Sequence, residues 1–227
     1  MLVAGVPAAA FGTNCWVLAP AAGEECVVVD PGIGVGPGLE EVLREHRLRP
    51  VAVVLTHGHL DHTFSVTPVC GARGVAAWVH PGDRGMLADP TTGFSEGMTA
   101  LVQQMSGGRL DWQEPDDVRS LDDGATVRLA GLELVVDHAP GHTPGSVLLR
   151  LAGGAGAEPL CVSGDVLFAG SIGRTDLPGG DSAAMLRSLA TRVLPLADET
   201  VVLPGHGPTT TIGRERATNP FLRGLAA

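Results

Sequence analysis

A chain of 227 residues has room for one large domain or two small ones. Hydrophobic residues make up 44% and charged residues 18%, which supplies a sizeable core and argues against disorder. The formal net charge is −10, and all 15 basic residues are arginine, with no lysine. Such a surface is poorly suited to gathering phosphate backbones, so no nucleic-acid partner is expected.

The opening stretch MLVAGVPAAAFGTNCWVLAP lacks the basic start of a secretory signal. Its alternation predicts strands, NCWVLA (14–19) among them. No apolar run approaches the roughly 18 residues needed to cross a membrane. CVVVD (26–30) reads as the next strand, and GLEEVLREHRL (38–48) as a helix with Leu39, Val42, Leu43 and His46 on one stripe. VAVVL (51–55) and VAAWV (75–79) are strands, and TFSVTPVCGARG (63–74) between them opens as a short helix. Residues 81–118 read as helix, loop and helix, long enough to form a flap or a substrate-facing insertion. ATVRLA (125–130), LELVVDH (132–138), SVLLRLA (146–152), LCVSGD (160–165) and TVVLP (200–204) are strands bounded by Gly, Pro or Asp, and AGGAGAE (152–158) is a flexible hairpin tip. DSAAMLRSLATRVL (181–194) is a helix capped by Asp181, with Met185, Leu186, Leu189 and Val193 on one stripe. No composition shift marks a boundary. Two comparable rounds of strands and helices predict an α/β fold of two mixed sheets packed face to face, with helices outside.

THGHLDHT (56–63) places three of the eight histidines and one aspartate in eight positions. In a loop leaving a strand, His57 and His59 reach one point, while a turn aims Asp61 and His62 at a second. Imidazole and carboxylate are the usual ligands of zinc, iron or manganese. A surface loop that merely happens to be rich in histidine is the simpler alternative. It loses ground because three more ligand-type residues follow strands at turns: His142 in APGHTPGS, Asp165 in CVSGDVLF and His206 in VVLPGHGP. An aspartate emerging from an apolar strand is costly unless something pairs with it. The other histidines read as structural: His46 on an exposed helix face, His80 capping or packing at a strand-to-helix turn, and His138 packing beside the site. Cys15, Cys26, Cys70 and Cys161 show no CxxC spacing and read as buried structural thiols in a reducing cytoplasm.

HxHxDH, GHTPGS, SGD and PGH in this order resemble the metallo-β-lactamase superfamily over nearly the whole chain, with VVVDPG (27–32) ahead of the first motif. GSIGRTDLPGGD (170–181) and TTTIGRERATNPFL (209–222) are similar to the glyoxalase II-like thioester hydrolases, in particular their short bacterial members. The resemblance implies one αββα sandwich domain over 1–227, without the C-terminal helical domain of the longer enzymes. It implies two divalent cations, zinc foremost, with iron or manganese as alternatives. His57, His59 and His142 would hold the first, Asp61, His62 and His206 the second, and Asp165 would bridge them. The implied reaction is hydrolysis of a 2-hydroxyacyl thioester such as S-lactoylglutathione by a metal-bridging hydroxide, with Asp61 poised beside it. A thiol leaves readily as thiolate, its pKa being about 8.5. The absence of tyrosine and lysine fits a thioester better than a β-lactam. Arg174 stands where the family contacts the thiol carrier; pairing with Asp176 or Asp181 is the structural alternative. The missing helical domain predicts a weak requirement for the glutathione portion. The rivals are a persulfide dioxygenase with a single iron, disfavoured by the complete second ligand set, and a non-catalytic metal-binding protein, whose signature would be a lost ligand. The expected partner is a small-molecule thioester, with no membrane and no nucleic acid.

Overall fold

The architecture is that of a computed structural model, described over residues 1–8, 10–94, 113–153 and 157–225. Valine- and leucine-rich runs build two six-stranded sheets. The first joins β1 (Leu2–Pro7), β2 (Asn14–Ala19), β3 (Glu25–Val29), β4 (Arg49–Val54), β5 (Ala76–Val79) and β6 (Val118–Ser120) in sequence order. It begins as an antiparallel meander and is parallel from β3 to β6. The second contains β7 (Thr126–Leu129), β8 (Leu132–His138), β9 (Val147–Leu151), β10 (Leu160–Gly164), β13 (Val201–Pro204) and β14 (Thr210–Thr211), in the order β14-β13-β10-β9-β8-β7. β11 (Leu167–Phe168) and β12 (Ser171–Ile172) form a separate small ribbon.

Alternation sorts the side chains of each strand between layers. Trp16, Leu18, Val27 and Val29 pack between the sheets against Leu134, Val136, Val147 and Leu149. Val17, Cys26 and Val28 point the other way, towards Leu39 and Leu43 of α1 (Gly36–Glu45) and Cys70 of α3 (Val66–Arg73). On the far side, Leu148, Cys161 and Val202 meet Met185 of α5 (Ser182–Ser188), Leu189 and Val193 of the π-helical turn that continues it, and Ile212 and Leu222. These three apolar layers make the αββα sandwich. Strands buried on both faces explain why the sequence reads as continuous apolar runs.

The nine strands expected from the apolar runs all form. So do α1, α3 within the 63–74 stretch, and α5, whose N-cap Asp181 accepts from Ala184 N at 2.9 Å, while the turn expected at Asp61 and His62 is a short helix, α2 (Leu60–Thr63). Leu186 departs from expectation: it is 43% exposed. The buried stripe runs Met185, Leu189, Val193, and one residue along a helix turns the side chain about 100° away from it. The 81–118 stretch opens as a 3₁₀ turn at Pro81–Asp83, α4 (Arg84–Ala88) and a second turn at Pro90–Gly93. Its expected second helix lies outside the described residues. β9 and β10 pair antiparallel around the expected hairpin tip, whose residues 154–156 also lie outside them. Two short helices, α6 (Ile212–Thr218) and α7 (Pro220–Arg223), follow β14. Among the described residues no helix is long and apolar enough to cross a membrane. The four cysteines are buried and unpaired, and burial pushes the thiols of Cys26, Cys70 and Cys161 up to about 12.

Candidate metal centre

Four strand ends converge at one edge of the sandwich. The loop leaving β4 carries His57 and His59, and α2 directly after it carries Asp61 and His62. His142 lies in the β8–β9 turn, Asp165 follows β10, and His206 follows β13. Gly205 is required beside them, because a Cβ there would overlap Asp165 Oδ1.

All seven residues singled out from the motifs come together. Among the described residues, the ligand atoms of His57, His59 and His142 lie within 4.8 Å of one another, as do those of Asp61, His62 and His206. Asp165 stands between the two groups. Its Oδ1 is 3.3 Å from His62 Nε2, and its Oδ2 is 3.5 Å from both His142 Nε2 and His206 Nε2. Asp61 Oδ2 is 3.2 Å from His206 Nε2 and 3.5 Å from His62 Nε2. Ligand atoms about 2.0–2.1 Å from a tetrahedral cation stand about 3.3 Å apart, so these separations suit divalent metals.

The back nitrogens of three rings are tied down. His142 Nδ1 donates to Arg174 O at 2.8 Å. His62 Nδ1 donates to Asp30 Oδ2 at 3.0 Å. Thr56 Oγ1 donates to the same Asp30 oxygen at 2.5 Å, leaving its lone pair for His57 Nδ1 at 3.1 Å. Each bond fixes the tautomer and leaves Nε2 facing the centre. His57 Nε2 and Asp165 Oδ1 are buried without a hydrogen-bond partner, and His59 turns its Nδ1 to the centre, 2.8 Å from His142 Nε2. Orphaned buried polar atoms are costly, and bound cations would satisfy atoms of this kind. The residues present therefore fit a metal site.

Electrostatics divides the two groups. Burial, helped by the neighbouring histidines, holds His57 well below its ordinary value and brings His59 down to about 3. Burial also opposes charging of His62 and His206. For His62 the Asp165 and Asp61 carboxylates outweigh it, and for His206 the hydrogen bond to Asp61 and the charge of Asp165 do, so both are raised. Burial would lift Asp61 and Asp165, but His62 and its neighbours hold both below the usual carboxylate range.

Sequence reasoning passed over the supporting residues. Asp30 and Thr56 orient His57 and His62, and Thr13 Oγ1 donates to Asp61 Oδ2 at 3.1 Å. Asn14 Nδ2 donates to Pro204 O and Gly207 O, clasping the turn that presents His206. Asp30 had a readable signal, since it leaves an apolar strand just as Asp165 does. Of the remaining histidines, His80 caps its turn by accepting from Gly82 N, and His138 stacks on His80 at 4.0 Å. His46 caps the end of α1 and is half-buried.

A cavity of about 580 Å³ opens onto the centre, lined by His59, Asp61, His142, Asp165 and His206 together with Phe11, Ile33, Phe94, Phe168 and Leu177. Arg174 also lines it. Its guanidinium grips Asp176 through two bonds of 2.7 Å, the first of the two pairings the sequence allowed.

A sandwich of this topology with histidines and aspartates at its strand ends defines a metallo-hydrolase type of site. The family model for the metallo-beta-lactamase superfamily matches residues 8–206, and the chain belongs to that superfamily. It is 33% identical over 218 residues to hydroxyacylglutathione hydrolase GloC of Haemophilus influenzae, covering 96% of each chain. Among solved structures, the BLEG-1 B3 metallo-beta-lactamase is 35% identical with a TM-score of 0.82, over 97% of this chain and 99% of that one. TTHA1623, solved in a di-iron-bound form, is 38% identical with a TM-score of 0.77, over 97% and 100%.

Proposed function

We propose that the protein is a metal-dependent hydrolase of thioesters, in particular 2-hydroxyacyl thioesters such as S-lactoylglutathione. His57, His59 and His142 would hold one divalent cation, Asp61, His62 and His206 a second, and Asp165 would touch both. The observation that carries this reading is the position of Asp165, within 3.5 Å of nitrogens from both groups. Divalent cations held there would lower the pKa of a bound water and polarise the substrate carbonyl.

The chain's own residues supply the rest. Asp61, oriented by Thr13 and held ionised beside His62 and His206, presents a carboxylate oxygen to the cavity that can accept a hydrogen bond from the attacking water. Asp30 and the Arg174 carbonyl keep the rings of His62 and His142 from turning. A thiolate leaves without a general acid, and the chain has no tyrosine to serve as one. Phe11, Ile33, Phe94 and Phe168 offer apolar walls to the acyl and thiol arms. Arg174, already paired with Asp176, offers a carboxylate little net charge, which supports a weak requirement for the charged portion of glutathione. The likeness to GloC supports the reaction class.

The test follows thiol release and oxygen uptake side by side, with metal content measured on the same preparation. Substrates are lactoyl esters of glutathione and of a small neutral thiol, glutathione persulfide, and a β-lactam. Thiol release from both esters, with close to two metals per chain, is the expected result. Oxygen uptake with the persulfide and no thiol release would move the protein to dioxygenase chemistry, and cleavage of the β-lactam alone would move it to that substrate.

A further inference from the structure

One buried carboxylate joins the two loops that carry the three-histidine group. Asp83, fully buried, accepts three hydrogen bonds. Gly58 N reaches its Oδ2 at 2.8 Å, Thr143 Oγ1 the same oxygen at 2.6 Å, and Gly145 N its Oδ1 at 2.6 Å. Gly58 lies between His57 and His59, while Thr143 and Gly145 follow His142 within three residues. Asp83 touches none of these rings.

The approach depends on small neighbours. A Cβ on Gly145 would lie 2.6 Å from Asp83 Cγ, and one on Gly82 only 3.1 Å from Gly145 N. A second tie runs alongside: His80, at the head of the same turn, stacks on His138 with the rings 9° from parallel, and His138 Nε2 donates to Pro144 O at 2.8 Å. The turn at 80–83 thus grips the 140–146 loop twice and the 57–59 loop once.

We infer that Asp83 is a positioning residue that sets the spacing of His57 and His59 against His142, and so preorganises this group for its cation. The inference rests on the metal reading above. The physical case is one of connectivity. The loops leave β4 of one sheet and β8 of the other, and a backbone bond from Val147 N to Thr56 O at 2.8 Å ties them at their base. Three short bonds to a single buried carboxylate fix their spacing further out, beside the ligands themselves. Asparagine at 83 can accept from only one side. Either the Gly58 or the Gly145 N–H would then face an NH₂ donor, and a backbone N–H cannot reverse its role.

The experiment isolates each ligand group. In a His206→Ala background the second group is broken, and cobalt(II) titration against a competing chelator, read by the metal's visible absorption, reports the three-histidine group. Adding Asp83→Asn should weaken that affinity by ~10–100-fold, the range for residues behind a metal ligand, and Thr143→Val should have a smaller effect in the same direction. In a His57→Ala background, which reports the second group, Asp83→Asn should change affinity by less than about 3-fold. Equal weakening in both backgrounds would show a merely structural role and overturn the inference, as would unchanged affinity in the first. Circular dichroism and thermal unfolding of each variant separate local effects from misfolding. A wild-type chain that binds no cobalt would sink the metal reading, and this inference with it.

Discussion

The two ligand groups at the strand ends are built on opposite electrostatic plans. His57, His59 and His142 are buried, include no carboxylate of their own, and His57 and His59 are kept neutral by burial and by neighbouring histidines. Asp61, His62 and His206 form a set of ion pairs in which protons stand where a cation would stand, and two of the three reach the cavity. The first group is ready to donate lone pairs, whereas the second must release protons before it can do so. The supports differ accordingly. A carboxylate behind backbone amides spaces the neutral group, while carboxylates in direct contact with the rings hold the charged one.

The change that should break this comparison most completely is Asp165→Ala, because Asp165 stands between the two groups, 3.3 Å from His62 Nε2 and 3.5 Å from His142 Nε2 and His206 Nε2. Metal analysis and activity assays should show loss of most of the metal and a fall in kcat/KM beyond the ~10–100-fold typical of residues behind a ligand. His62→Ala, which touches one group, should retain more metal; equal retention in the two variants would contradict the bridging position. Asp30→Asn sharpens the contrast. Asp30 holds His62 directly and His57 only through Thr56, so cation titration should find the second group weakened ~10–100-fold and the first much less.

The charge difference also predicts how the metal-free protein responds to pH. His57 and His59 have lowered values, so below about pH 6.5 the unfolded chain binds protons that the folded one refuses, and stability falls as pH drops. His62 and His206 have raised values. Their contribution is complete below about pH 6.5 and is lost as pH rises through the folded values. Asp61 and Asp165 stay ionised throughout this range. The chelated protein should therefore show a maximum in Tm near pH 6.5, and added zinc should abolish the alkaline decline. A Tm that climbs steadily to pH 9 without metal would contradict the ion-paired second group. The smallest effect concerns the cavity rim. Asp176→Asn frees Arg174 and should lower KM for the glutathione ester about 2–5-fold, the scale of an exposed ion pair, while leaving the neutral ester unchanged.

Much of this was legible in the chain itself. VAVVL and LCVSGD read as buried strands because both their faces are covered, and the ligands could be picked out because each follows such a strand at a glycine-rich turn. Other elements escaped notice. β6, β11, β12 and β14 are two or three residues long, too short for alternation to register; β6 and β14 form on the free edges of β5 and β13, and β11 and β12 pair with each other. Leu186 joined the wrong stripe because spacing alone does not say where the core ends.

By itself, then, the sequence determined which residues could bind metal and where the chain must be extended, since ligand chemistry and apolar periodicity are local properties. The tertiary structure decided which lone pair each ring presents, because that depends on what stands behind it: Asp30, just after β3, for His62, and the Arg174 carbonyl for His142. It also decided that Asp83, 25 residues from Gly58 and 62 from Gly145, joins the two loops. A buried carboxylate takes its meaning from the donors that surround it, and here those donors come from two different sheets.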